Sequence, residues 1–381
     1  MSKDRVDDKD GRDLSGRSKK NLKLPEIKKP ELPAALRNIK RQYLYIGAAV
    51  IAVLVILLVV LLAHKSDDTE SKELVIVSAE TGSVRHMSFP QLSLEEGEGK
   101  LSVTEFSQIL NKLYEEDFVL IDVYDLAETQ KDGTLRINSE ISLPEGKKPL
   151  IISQRDVSYP IWNIGAGYAE KMVLDTAGNV KCVYTDASGD EHQGDYDLVP
   201  ILETFIKEHP DFSYNGARGI IGVTGYNGVL GYRTSTYLTD AASNPWGLVY
   251  DVESEKASAA QVIDKLKKSG WHFACCGFNA ISYGSENSIM TGDLDAWMAQ
   301  VSDVIGGTDM IIYPMQTDVG SWAPYSETNS KYVYLRECGF RYFFINETET
   351  PWFIQCTNSY VRQAITEVNT YAQFEQALAS A

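Results

Sequence analysis

Beyond residue 70 the chain switches repeatedly between two hydrophobic periods. Short apolar runs bounded by turn residues predict strands at LVIVSA (74–79), KKPLIISQRD (147–156), GIIGVTG (219–225), WHFACC (271–276), DMIIYPM (309–315) and RYFFIN (341–346). Between them, apolar positions three and four apart predict helices at VTEFSQILNKLYEE (103–116), LVPILETFIKEHPDF (198–212), SAAQVIDKLKKSG (258–270) and LDAWMAQVSDVIGG (294–307). In the first helix Val103, Phe106, Ile109, Leu110 and Leu113 share one face, and Thr104 is its expected cap. FVLIDVYDLA (118–127) alternates as a strand, and VLDTAGNVKCVYTD (173–186) reads as a hairpin turning at Gly178-Asn179. Strand then helix, repeated, with polar residues at the carboxyl ends of the strands, is the rhythm of an α/β barrel, whose site lies at that rim.

Upstream the pattern is different. Residues 44–63, LYIGAAVIAVLVILLVVLLA, carry no charge and at 1.5 Å per residue reach about 30 Å, the thickness of a bilayer core. Arg37, Lys40 and Arg41 precede this run, and Asp67, Asp68 and Glu70 follow it. The positive-inside rule then places residues 1–42 in the cytoplasm and the body outside the cell membrane. The expected organisation is a basic disordered cytoplasmic tail (1–42), a single transmembrane helix (43–64), a linker (65–72) and an extracellular domain (73–375).

Charge sharpens the division. Residues 1–42 hold 13 Lys/Arg against 7 Asp/Glu, whereas the remainder holds 23 against 46. So acidic a body excludes nucleic acid as its partner. Five cysteines, Cys182, Cys275, Cys276, Cys338 and Cys356, are too few for a disulfide scaffold and include no CxxC pair. Most read as small buried apolar residues, with one bridge possible.

The order VTEFSQILNKLYEEDFVLIDVYDLA, LPEGKKPLIISQRDVSY, VIDKLKKSGWHFACCGFNA and IGGTDMIIYPM resembles the NodB-like polysaccharide deacetylases, over roughly residues 80–350. The resemblance implies a distorted (β/α) barrel and metal-assisted hydrolysis of acetyl groups on a cell-wall polysaccharide or peptidoglycan. In such chemistry a carboxylate and two imidazoles hold a divalent metal such as zinc, a second carboxylate is the general base, and a late histidine protonates the leaving amine.

Little of that set is present. The paired aspartates of the family fall on Arg155-Asp156, so a guanidinium stands at the base position and Asp156 alone remains as a metal-binding carboxylate. The His-x3-His pair falls on Cys276 and Ala280. Of the Arg-x-Pro-aromatic-Gly stretch only Pro314 survives, and no histidine follows His272. The expectation is therefore a membrane-anchored, catalytically silent protein that binds glycan or a wall-assembly partner, needs no cofactor, and presents Tyr159, Trp162, Tyr226 and Pro314 to the sugar. The alternative is an active deacetylase of N-acetyl or O-acetyl groups with a rearranged site, for which Asp156, His272 and Cys276 are the candidate zinc ligands. Tyr232 and Trp322 are further flat faces, GYNGVLGY (225–232) is a glycine-rich loop without the Lys-Ser/Thr of a phosphate loop, and Asn346-Glu347-Thr348 matches a glycosylation sequon. His86 falls where relatives often carry a first-strand histidine.

Overall fold

The computed structural model describes residues 74–78 and 83–379, apart from 139, 321–322 and 347–353. The expected tail and membrane span, Trp322 and the last two sequon residues lie outside the described residues. No helix among the described residues is long and apolar enough to cross a membrane.

Seven parallel strands follow one another around a closed barrel in chain order: β1 (Arg85–Phe89), β2 (Lys148–Gln154), β3 (Ile220–Val223), β4 (His272–Cys275), β5 (Met310–Ile312), β6 (Tyr342–Asn346) and β7 (Val361–Glu367). Each strand pairs with the next, and β7 returns to β1 through Thr366–Met87 and Glu367–Ser88. This is the (β/α) barrel that the alternating periods predict. Because side chains alternate along a strand, each strand serves two cores. Ile152, Ile221, Phe273 and Ile311 face the surrounding helices, while Ile151, Ile220, Ala274 and Ile312 fill the barrel.

The helices are α1 (Val103–Glu115), α2 (Leu198–Glu208), α3 (Val252–Lys268), α4 (Asn287–Trp297, prolonged by a π turn over Met298–Ser302), α5 (Ser330–Glu337) and α6 (Tyr371–Ala379). Helix α1 buries Phe106, Ile109, Leu110 and Leu113 as its spacing requires. Its cap is Ser102 rather than Thr104: Ser102 has extended φ/ψ and accepts from the Glu105 amide, while Glu105 reaches back to the Ser102 amide. A cap needs that extended backbone, and Thr104 is already helical.

Two further differences from the sequence reading are local. The run at 118–127 is a strand only over Phe118–Leu120, since the Asp122 side chain accepts from the Tyr124 amide and starts a 3-10 turn over Val123–Asp125. The hairpin at Gly178-Asn179 is present, with Gly178 at φ 79°, but a third strand, Glu191–Gly194, extends it into a small antiparallel sheet. The Leu74–Ser78 strand pairs antiparallel with Glu140–Pro144 and is not a barrel strand.

Candidate functional site

The carboxyl ends of the strands bring together residues far apart in sequence. Arg155 and Asp156 leave β2, Thr224 leaves β3, Cys276 leaves β4, Pro314 leaves β5, and Asn346 and Glu367 end β6 and β7. Arg155, Asp156, Cys276, Ala280, Pro314, Met315, Gln316 and Glu367 line a cavity of about 110 Å³ there. A larger concavity, about 430 Å³, lies against α2 and the small antiparallel sheet, away from the strand ends.

Arg155 is the hub of this cavity. Its Nη2 donates to Asn369 Oδ1 at 2.5 Å, Nη1 reaches Asp156 Oδ2 at 3.4 Å, and Nε lies 3.4 Å from Glu367 Oε1 without a hydrogen bond. Gln316 donates to the other Glu367 oxygen, and Asn346 donates to Gln316 Oε1 at 2.9 Å. Burial pushes the Glu367 carboxyl up, and Arg155 pulls against that. For Asp156 desolvation raises the carboxyl and Arg155 opposes it. Since 44 % of the Asp156 side chain is exposed, solvent screening makes the net effect on that group small.

The adjacent cysteines point opposite ways. Cys275 belongs to the outer core, where its sulfur accepts from the Gly277 amide at 3.3 Å, and Cys276 turns into the barrel. All five cysteines are free, and the 275–276 pair forms no bridge. Burial raises both thiols, so neither is a thiolate.

These residues do not fit the metal that the resemblance implies. A zinc site needs three or four donors, and of the three donor positions here only Asp156 keeps a carboxylate, while Cys276 carries a buried protonated thiol and Ala280 a methyl group, with the Arg155 guanidinium beside them. No group of three His, Cys, Asp or Glu among the described residues could hold a metal ion. The alternative triad also fails. His272 sits at the amino end of β4, where its Nε2 pairs with Asp122 Oδ2 at 2.8 Å, whereas Cys276 and Asp156 lie at the other end.

Of the residues expected to face sugar, Tyr159 does not. Its ring is buried, and its hydroxyl donates to Asp197 Oδ2 at 2.7 Å, which also takes the Leu92 amide and the Gln154 side chain on its other oxygen. Tyr159 therefore holds the loop after β2 in place. Trp162 is 52 % exposed and stacks on Tyr226 at 5.6 Å and on Trp246 at 6.0 Å between ring centroids. Tyr226 is half-buried beside Asp156, and burial followed by that charge pushes its hydroxyl up to about 12. Pro314 is buried in the cavity wall. Tyr232 is buried under Lys171, and His86 is buried between Ser153 and Gln363.

The sequence reading missed Glu367, Gln316, Asn369 and Trp246. Glu367 had little signal: of VRQAITE (361–367) only Val361, Ile365 and Thr366 are β-branched, and the inward face of Glu367 is set by the pairing of β7 with β1. Trp246 had none, because Asn244 positions it. The Asn244 side chain donates to the carbonyls of Tyr237, Asp240 and Leu248 and accepts from the amides of Trp246 and Leu248.

No family model and no curated protein matches the sequence. Among solved structures the chain is similar to IcaB from Ammonifex degensii, at 12 % identity and a TM-score of 0.39, over 78 % of this chain and 97 % of that one. It is similar to the Streptococcus pyogenes deacetylase PplD, solved in complex with acetate, at 10 % identity and a TM-score of 0.36, over 77 % and 96 %. A polysaccharide deacetylase from Bacillus cereus matches at 8 % identity and a TM-score of 0.37, over 77 % and 68 %. At such distances the residues of this rim decide what it can do.

Proposed function

We propose that this chain is a membrane-anchored, extracellular glycan-binding protein built on a deacetylase-like barrel, and that it does not hydrolyse its ligand. Residues 43–64 are the anchor in this reading, and cell-wall polysaccharide or peptidoglycan is the ligand. The observation that carries the proposal is Arg155, held in the strand-end cavity by Asp156, Glu367 and Asn369 where hydrolysis would need a base. A guanidinium accepts no proton at any physiological pH. The aromatic stack of Trp162, Tyr226 and Trp246 beside it supplies flat apolar edges for a sugar.

The test uses the full chain in detergent micelles, assayed for acetate release from acetylated chitooligosaccharide with added zinc, cobalt or nickel and again with a chelator. No release above the protein-free rate is expected, together with retention on insoluble peptidoglycan that Trp162→Ala weakens. Metal-dependent turnover would overturn the silent reading and restore the active one. Loss of retention in the wild-type chain would overturn the binding reading.

A further inference from the structure

We infer that the cavity between α2, the end of α3 and the small antiparallel sheet binds a small-molecule phosphate monoester. It is a site apart from the strand-end rim and independent of the glycan-binding reading. Among its lining residues, Arg218 stands two positions before β3 and Ser269 three before β4, so the cavity lies toward the amino ends of those strands. Its volume of about 430 Å³ falls in the range of about 300–1,000 Å³ that small-molecule sites occupy.

Charge sets this cavity against the rest of the body, which holds 23 Lys/Arg against 46 Asp/Glu. Here Lys181, Lys207, Arg218 and Lys265 face a single carboxylate, Glu203. That carboxylate is already engaged: it accepts from Arg218 Nε at 2.8 Å, from Arg218 Nη2 at 3.4 Å and from Trp271 Nε1 at 2.7 Å. Arg218 Nη1 donates to Ser213 Oγ and to the Gly216 and Ala217 carbonyls, and Lys181 pairs with Asp195. Lys207, exposed, and Lys265, half-buried, have no partner among the described residues. Two positive charges are therefore uncompensated in one concavity. Each lysine also lies in the last turn of its helix, where a cation offsets the partial negative charge of the helix end. That role does not account for Lys265, because Lys267 and Lys268 occupy the same turn of α3.

A phosphate monoester carries a charge of about −1.5 to −2 at neutral pH and three acceptor oxygens, which matches two ammonium groups with three donors each. A carboxylate is held best by a planar fork, and the one guanidinium here has its nitrogens occupied. Ser269 adds a hydroxyl to the lining. Val180, Pro200, Ile206 and Pro210 make the remaining wall apolar, and free phosphate would leave that wall uncovered. An organic body attached to the phosphate covers it.

Titration calorimetry on the full chain in detergent tests this with three probes: glucose 6-phosphate, inorganic phosphate and glucose. The ester is expected to bind roughly tenfold or more tighter than either of the others, and less tightly as sodium chloride is added. Lys207→Gln and Lys265→Gln should each weaken the ester roughly tenfold. Lys131→Gln makes the same change of charge outside the cavity and should leave the affinity unchanged. All three lysines are unpaired and at least partly exposed, so the variants keep their fold. Equal affinity for ester and glucose overturns the phosphate assignment, and equal affinity for ester and inorganic phosphate overturns the organic body. An ester affinity that neither cavity lysine alters, or that Lys131→Gln alters as much, overturns the site. Binding of neither phosphate probe overturns the inference outright, and none of these results bears on glycan binding at the rim.

Discussion

Gly222 and Cys276 provide a direct test of how tightly the barrel interior is closed beneath the rim. A β-carbon at Gly222 would lie 2.5 Å from Cys276 Sγ, 3.0 Å from Ile312 Cδ1 and 3.2 Å from the Gln154 carbonyl oxygen. None of these neighbours is a flexible surface group, so Gly222→Ala forces the wall apart and should cost about 1–3 kcal/mol by overpacking. Cys276→Ala removes the nearest obstruction and leaves a small void, at a cost of about 1 kcal/mol. Because the sulfur is the closest contact, the double variant should be more stable than the sum of the single losses by about 1 kcal/mol or more. The remaining deficit reflects Ile312 and the Gln154 carbonyl. Urea unfolding of the full chain in detergent, followed through the buried Trp271 and Trp297, measures all four corners of this cycle. Single effects that add within about 0.5 kcal/mol, or a neutral Gly222→Ala, would refute the packing described.

Two other outcomes follow from buried polar groups. Burial lowers His86 to about 3, against which its Gln363 hydrogen bond acts weakly, so the unfolded chain takes up a proton near pH 6.5 that the folded one refuses. Stability contributed by neutral His86 is therefore present above about pH 6.5 and is lost at about 1.4 kcal/mol per pH unit as pH falls toward 3. His86→Gln should flatten the acid limb of the stability profile between pH 6 and 4, and parallel limbs for the two proteins would contradict this. Asn244→Ala removes the side-chain bonds that fold the 236–250 loop, and about 1–3 kcal/mol of local stability with them. Amide exchange should accelerate at Trp246 and Leu248 while β1 to β7 keep their protection; unchanged exchange in the loop would show that Asn244 is dispensable.

The barrel was legible because buried parallel strands read as short apolar runs and their crossover helices as clear three-and-four spacing. GIIGVTG and WHFACC fall within a residue or two of β3 and β4. The final strand escaped because VRQAITE carries an arginine at its second position, and nothing local shows that Arg362 is buried against Asp318, 44 residues away. The same limit applies to Tyr159. An exposed tyrosine and a tyrosine bonded to a buried Asp197 look alike in sequence, since the partner is 38 residues downstream. At the rim, Arg155, Asp156, Cys276, Ala280 and Pro314 could be placed by motif position, and the structure gathers all five around one cavity. Glu367 and Asn369, which decide what Arg155 does, arrive only through closure of β7 on β1.

Left-handed backbone is concentrated at the rim cavity. Eight non-glycine residues among those described have φ in the left-handed region, and four of them, Asp156 at 57°, Ala280 at 51°, Met315 at 51° and Gln316 at 58°, line the same small cavity. Each such residue costs of order 1–3 kcal/mol relative to relaxed backbone, and glycine would remove the cost at any of the four. Ala280 makes the point most sharply: its methyl group can hold no ligand, yet its backbone keeps the bend that turns the loop after β4 over the cavity. Strain concentrated in this way has to be offset by surrounding contacts, here the Arg155, Glu367, Gln316 and Asn346 chain of hydrogen bonds and charges. Walls held in this geometry keep the cavity's shape even though the donors for a catalytic metal are missing.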